Sequence, residues 1–190
     1  MDTKVTLSYA GNEDPAWLQD VAVEKLELIV DQIEEDARRL EAGEHVSGPS
    51  AQEYRDRVAR SAPFAGRVVT GVRNVERLLE QADPAVYHGQ GMTCVWQAAT
   101  AACRKAKLTL GLPGVDTPDE AECRSTCVNL AYTDRDITEL QQELVILRAD
   151  AADPLAPKPR QDRAAAQAAQ HLNIIERHHR RTTEDEKDTP

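Results

Sequence analysis

Four cysteines, Cys94, Cys103, Cys123 and Cys127, are all the thiols of this chain, and they follow the spacing C-x8-C-x19-C-x3-C. Zinc takes four tetrahedral thiolate or imidazole ligands, usually delivered as two close pairs from loops or from a loop and a helix start. Cys123 and Cys127 fit that rule, and Cys94 and Cys103 form a wider pair. The expected cofactor is therefore one structural zinc ion on these four residues. His88, six residues before Cys94, is a substitute for one thiolate. Four thiolates also suit an iron–sulfur cluster, which is the alternative cofactor. The simpler reading is four small buried apolar side chains in a reducing compartment. Disulfides come last, because the chain reads as cytoplasmic.

Other groups carry weaker signals. Arg104, Lys105, Lys107 and Arg124 lie near the thiols in sequence, where they offset thiolate charge and are the candidate DNA-facing residues. His178-His179-Arg180-Arg181 reads as favourable charge at a helix C-terminus. His45 and His171 have no assignable partner. A hydrolytic centre is not expected, since no Ser/His/Asp or metal-plus-Glu constellation stands out along the chain.

The elements that must position these residues are mainly α. Asp14-Pro15 starts a helix, with an acceptor at the N-cap and Pro at the first helical position. Apolar residues then recur at three- and four-residue steps from Trp17 to Leu40, and Gly43 is the C-cap. The spacing predicts one long amphipathic helix from Pro15 to Ala42, with Glu34, Glu35 and Asp36 on its wet face. Shorter helices are expected over Ser50–Arg60 and Val72–Gln81. The stretch His88–Thr117 holds Gly89, Gly91, Gly111, Pro113 and Gly114, which is loop chemistry. Thr133-Asp134-Arg135-Asp136 resembles a capping box with Asp in place of Glu. The helix after it buries Ile137, Leu140, Leu144 and Leu147. A Pro-bearing link then leads to an Ala-rich helix through Ala164, Ala168, Leu172, Ile175 and His179, which makes an antiparallel αα-hairpin. The expected organisation is a helical region over 1–88, a four-cysteine loop module over 89–132, a helical hairpin over 133–181 and a disordered tail over 182–190.

Composition agrees with helices and limits function. The 190 residues include one Phe, two Trp and four Tyr, so the core must be aliphatic. Period-two alternation is brief, at Lys4–Tyr9, Arg67–Thr70 and Ala85–His88. The net charge of −10 opposes a broad nucleic-acid surface and leaves room only for a local basic patch. No apolar run approaches the roughly 20 residues that span a bilayer, and the first residues lack the regions of a secretory signal. No membrane partner is expected. The apolar-striped helices can also pair between copies as a homo-oligomer, which supports a second reading as an acidic protein–protein interaction module.

Thr3-Lys4-Val5-Thr6-Leu7-Ser8-Tyr9-Ala10 resembles the segment around the nucleophilic tyrosine of tyrosine recombinases and phage-type integrases, where a T-x-x-T-x-x-Y-like run carries the nucleophile. A longer likeness runs from about Gly91 to His178. It resembles the cysteine-bearing C-terminal extension of actinobacterial integrase-like proteins. Gly91-Met92-Thr93-Cys94, Thr100-Ala101-Ala102-Cys103, Cys123-Arg124-Ser125-Thr126-Cys127, Asn129-Leu130-Ala131-Tyr132-Thr133-Asp134-Arg135-Asp136-Ile137 and Asp153-Pro154-Leu155-Ala156-Pro157 carry it. The resemblance implies a role in DNA recombination, with DNA and a tyrosine recombinase as partners, and matches Tyr9 to the nucleophile. That family also needs two arginines, a histidine or tryptophan and a lysine or histidine before the tyrosine, to stabilise the phosphorane and protonate the leaving oxygen. Eight residues precede Tyr9. The expectation is a protein that is not an enzyme: a recombinase tail, or an accessory protein related to one.

Overall fold

In a computed structural model, residues 15–62 and 83–185 are described. Tyr9, the alternating segments Lys4–Tyr9 and Arg67–Thr70, and the helix expected over Val72–Gln81 lie outside them. The elements run α1 (Pro15–Glu41), β1 (Val46–Ser47), α2 (Ala51–Ser61), β2 (Val86–Gly89), β3 (Met92–Val95), α3 (Ala102–Thr109), a 3-10 turn (Glu120–Glu122), β4 (Leu130–Thr133), α4 (Asp134–Ala152) and α5 (Lys158–Asp185). The fold is mainly helical, as expected, but it holds a four-stranded sheet that the sequence reading lacked. The chain divides into two compact units, residues 1–38 with 58–84, and residues 39–57 with 85–190.

In the first unit, α1 follows its predicted bounds closely. Ile33 is buried there, but Leu28, in the same apolar series, is 70% exposed. Asp36 is buried rather than on the wet face with Glu34. Glu35 pairs with Arg38 at 2.5 Å on the surface.

The second unit contains the sheet, in the order β1-β4-β3-β2, with every pair antiparallel. Gly43 ends α1 as expected, at φ +90°, with the Glu44 N–H reaching back to the Arg39 carbonyl at 2.9 Å. β2 and β3 form a hairpin around Gln90-Gly91. Gly91 takes φ +67°, and a Cβ there would sit 2.8 Å from Leu140 Cδ2, so the turn needs glycine for both conformation and space. A boundary at 88 would cut β2, and one at 132 would cut β4. The expected loop module is thus largely strand and helix. Its glycines mark turns between short elements, which hid the elements themselves.

β4 is buried at all four positions and runs straight into α4. The predicted capping box is formed with Asp136 in the glutamate's place. The Asp136 carboxylate oxygen Oδ2 accepts from the Thr133 N–H at 2.8 Å, the Thr133 hydroxyl at 3.0 Å and the Thr93 hydroxyl at 2.9 Å. Burial pushes this carboxyl above the usual carboxylate range, and the hydrogen bonds pull against that.

α4 and α5 form the expected hairpin. Ile137, Leu140 and Leu144 pack with Ala168 and Ile175 on Leu130 and Tyr132, with Leu147 and Leu172 partly buried at the margin. Each fully buried Ile or Leu contributes roughly 2 kcal/mol. Gln161 fixes the connector by donating to the Asp153 and Ala156 carbonyls. Two details differ from the expectation. His178, three residues after Ile175, is the buried histidine, and His179 is exposed. The helix also continues through Asp185, into the segment expected to be a disordered tail.

Thr133→Ala removes the N-cap acceptor and one donor to buried Asp136. Urea unfolding should show a loss of about 1–2 kcal/mol. An unchanged midpoint would show that the cap carries no stability.

Candidate metal centre

Each cysteine is placed by a different piece of the second unit. Cys94 lies on β3, opposite Leu130 of β4 and Tyr87 of β2. Cys103 is the second residue of α3, buried with Trp96 and Ala101, and Cys94 packs against the same cluster. Cys123 follows the 3-10 turn. Cys127 sits in a tight turn, where its N–H donates to the Arg124 carbonyl at 2.8 Å and its own carbonyl accepts from the Leu130 N–H at 3.4 Å. Cys127 belongs to the main core, with Cys123 packed on that core.

Asn129 ties these pieces together. It is 2% exposed. Its amide donates to the Gln97 carbonyl at 3.0 Å, and its side-chain oxygen accepts from the Thr100 hydroxyl at 2.6 Å. Its backbone carbonyl accepts from the Val95 N–H at 2.8 Å. One side chain thus links the turn before α3 to the segment between Cys127 and β4.

The four thiols share one electrostatic neighbourhood. Burial, followed by the charges of Cys127, Cys123 and Cys103, pushes the Cys94 thiol up to about 12, with Arg57 pulling the other way. Tyr132 is likewise pushed up to about 12, by burial first and then by Cys123, Asp136 and Cys127. All four cysteines are free thiols. Among the described residues, no group of three or more His, Cys, Asp and Glu side chains is already set to hold a metal ion. Sharing an ion therefore requires the sulfurs to draw closer.

His88 does not belong with them. It pairs with Thr93 across the hairpin, and its Nδ1 lies 2.9 Å from the Thr93 hydroxyl. Successive residues of a strand face opposite sides of the sheet, so His88 and Cys94 are on opposite faces. The substitute-ligand reading fails on that parity.

The basic residues named above divide in two. Lys107 forms an ion pair with Asp119 that raises the lysine's pKa and lowers the aspartate's. Arg104 lies over Gly114, where an added Cβ would meet Nε at 3.0 Å. Lys105 and Arg124 are exposed.

A second constellation was missed in the sequence. His178 is 1% exposed and is not at a helix end. Its Nδ1 lies 2.8 Å from Ser47 Oγ and its Nε2 lies 2.9 Å from Asp134 Oδ1. The His45 ring stands edge-on to it at 4.6 Å, and the His45 backbone N–H donates to Asp134 Oδ2 at 2.9 Å. His171 Nδ1 lies 3.9 Å from a Glu143 carboxylate oxygen. The three members are 131 and 44 positions apart in the chain, so no local motif announces them. The one usable signal was the step of three from Ile175 to His178.

No family model, curated protein or solved structure matches the chain. The recombinase likeness rests on its quoted residues alone.

Asn129→Ala should cost about 1–2 kcal/mol, because it removes two side-chain hydrogen bonds, to the Gln97 carbonyl and from the Thr100 hydroxyl, from a buried position. Urea unfolding measures this, and a neutral result would show that Asn129 does not hold the α3 turn to β4.

Proposed function

We propose that Cys94, Cys103, Cys123 and Cys127 take up one structural zinc ion, and that the unit it staples is a binding module. The observation that supports this is packing: Cys94 and Cys103 lie on one buried cluster, Cys123 and Cys127 on another, and Cys94 pairs directly with Leu130 of that second cluster. A closed four-thiolate site has no open position for water, so the ion's role is structural. Binding deprotonates the thiols, and the ion's charge reverses the cost that burial and mutual repulsion impose on the thiolates. Structural zinc contributes on the order of 10 kcal/mol in small modules. That is ample to draw in sulfurs on short turns. An iron–sulfur cluster on the same thiols is the other cofactor outcome, and visible absorbance of an anaerobic preparation separates the two.

For the partner, DNA or a DNA recombinase is the reading that the residue likeness supports. Lys105 and Arg124 are the exposed cations beside the thiols that suit a phosphate backbone. The second reading, a protein partner or a second copy, draws on exposed apolar residues of the hairpin: Val145 at 69%, Ile146 at 64% and Leu155 at 91%.

Metal analysis of the chain purified without chelator should give one zinc per chain, with loss on Cys123→Ser or Cys127→Ser. Zinc-loaded protein should retard duplex DNA at low salt, and Lys105→Ala with Arg124→Ala should weaken that retardation. A chain that neither retains zinc nor gains thermal stability from it would end the metal proposal. Metal-bound protein that ignores DNA but self-associates would favour the protein partner.

A further inference from the structure

The Ser47–His178–Asp134 chain lies in the same unit as the thiols but uses none of them. Its hydrogen positions follow from chemistry. A carboxylate only accepts, so His178 Nε2 carries the hydrogen that Asp134 Oδ1 receives at 2.9 Å. A neutral imidazole then leaves Nδ1 with a lone pair, and the Ser47 hydroxyl at 2.8 Å must donate to it. The serine thus has a base on its proton and a carboxylate holds that base in one tautomer, the two roles a serine nucleophile requires, with the two imidazole nitrogens exchanged relative to the usual triad.

The local backbone presents this serine at a bend. Ser47 ends β1, and Gly48 follows at φ +97°, where a Cβ would meet the Leu130 carbonyl oxygen at 2.9 Å. Only glycine fits there. Ser47 lines a cavity of about 430 Å³ together with Gly48, Ser125, Tyr132, Arg177 and Arg180. The cavity thus joins the serine to two guanidinium-bearing side chains and two further hydroxyl-bearing ones.

We propose that Ser47 is the nucleophile of an esterase site, with His178 as general base and Asp134 as the residue that positions it. The substrate is a carboxylic ester that carries a negative charge beside the scissile group. Ser47 Oγ attacks the acyl carbon, and its proton passes to His178 Nδ1. The C–O bond to the alcohol breaks, and the alcohol leaves with that proton. Water then attacks the acyl carbon of acylated Ser47 and gives its proton to His178, which returns it to Ser47 Oγ as the acid departs. The net reaction is ester plus water to acid plus alcohol. Arg177 supplies the positive charge that recognises the substrate's anion, and Ser125 and Tyr132 are the cavity's hydroxyl groups nearest in kind to oxyanion donors.

The full-length chain, treated with a fluorophosphonate probe, should gain one adduct on the peptide containing Ser47 as fluoride is displaced. Ser47→Ala should abolish the adduct. His178→Gln and Asp134→Asn should each slow labelling at least about 100-fold, the range of general-base contributions, with folding checked by circular dichroism. Hydrolysis of 4-nitrophenyl hemisuccinate should exceed that of the neutral butyrate ester roughly tenfold in kcat/KM, the scale of one favourable charge contact, and Arg177→Gln should remove that preference. A folded wild-type chain that gains no adduct at Ser47 overturns the proposal. So does labelling that proceeds unchanged in a folded Asp134→Asn variant, which would make the hydrogen-bonded chain a purely structural strut between β1, α4 and α5.

Discussion

The second unit depends on one buried carboxylate. Asp136 is fully buried, and a single oxygen of it gathers the Thr133 N–H, the Thr133 hydroxyl and the Thr93 hydroxyl. A buried carboxyl is costly to leave unpaired, so these bonds oblige three elements to meet at one point. Thr93 brings β3, Thr133 ends β4, and Asp136 lies in the first turn of α4. With that point fixed, α4 leaves the sheet in one direction, and the hairpin with α5 can cover Leu130 and Tyr132.

Both candidate sites are downstream of this constraint. β4 is the inner strand between β1 and β3. Its start carries the Cys127 turn and its neighbour β3 carries Cys94, so strand pairing sets these two distant segments side by side. Its other neighbour, β1, ends in Ser47, and the helix that follows β4 begins with Asp134. α5 then lays His178 between them. β4 therefore lies between the thiol-bearing segments and the serine–histidine–aspartate chain. The two share a scaffold, and they also share Tyr132, which feels the charges of Cys123 and Cys127 and lines the serine's cavity.

Helix signals in the sequence were local and therefore legible. Pro15, Gly43 and the Thr133–Asp136 cap are each read from a few adjacent residues, and each is found at or within a residue or two of its expected place. The sheet was not legible, because its strands are two to four residues long. Such strands are too short to stand out: the brief alternation at Ala85–His88 falls on β2 but is one repeat long, and β4 is buried on both faces, so it shows none. Asp36, placed on the wet face by its charge, is buried, and Leu28, placed in the core by its type, is exposed. Residue type sets a preference, and the neighbouring chain decides burial. His178 escaped for the same reason. Four consecutive basic or imidazole residues read as a solvated helix end, but the helix runs on, and helical spacing turns one of the four inward. The cysteine cluster was legible as residues but not as geometry, since nothing in the spacing tells which faces of β3 and α3 the thiols occupy.

On the reading proposed above, Cys94, Cys103, Cys123 and Cys127 act as one ligand set. X-ray absorption at the zinc edge of the metal-loaded chain tests it most directly. The account predicts a single shell of four sulfurs at about 2.3 Å, the distance of zinc–thiolate bonds. A shell of nitrogen and oxygen atoms at about 2.0–2.1 Å, with two sulfurs or fewer, would contradict it.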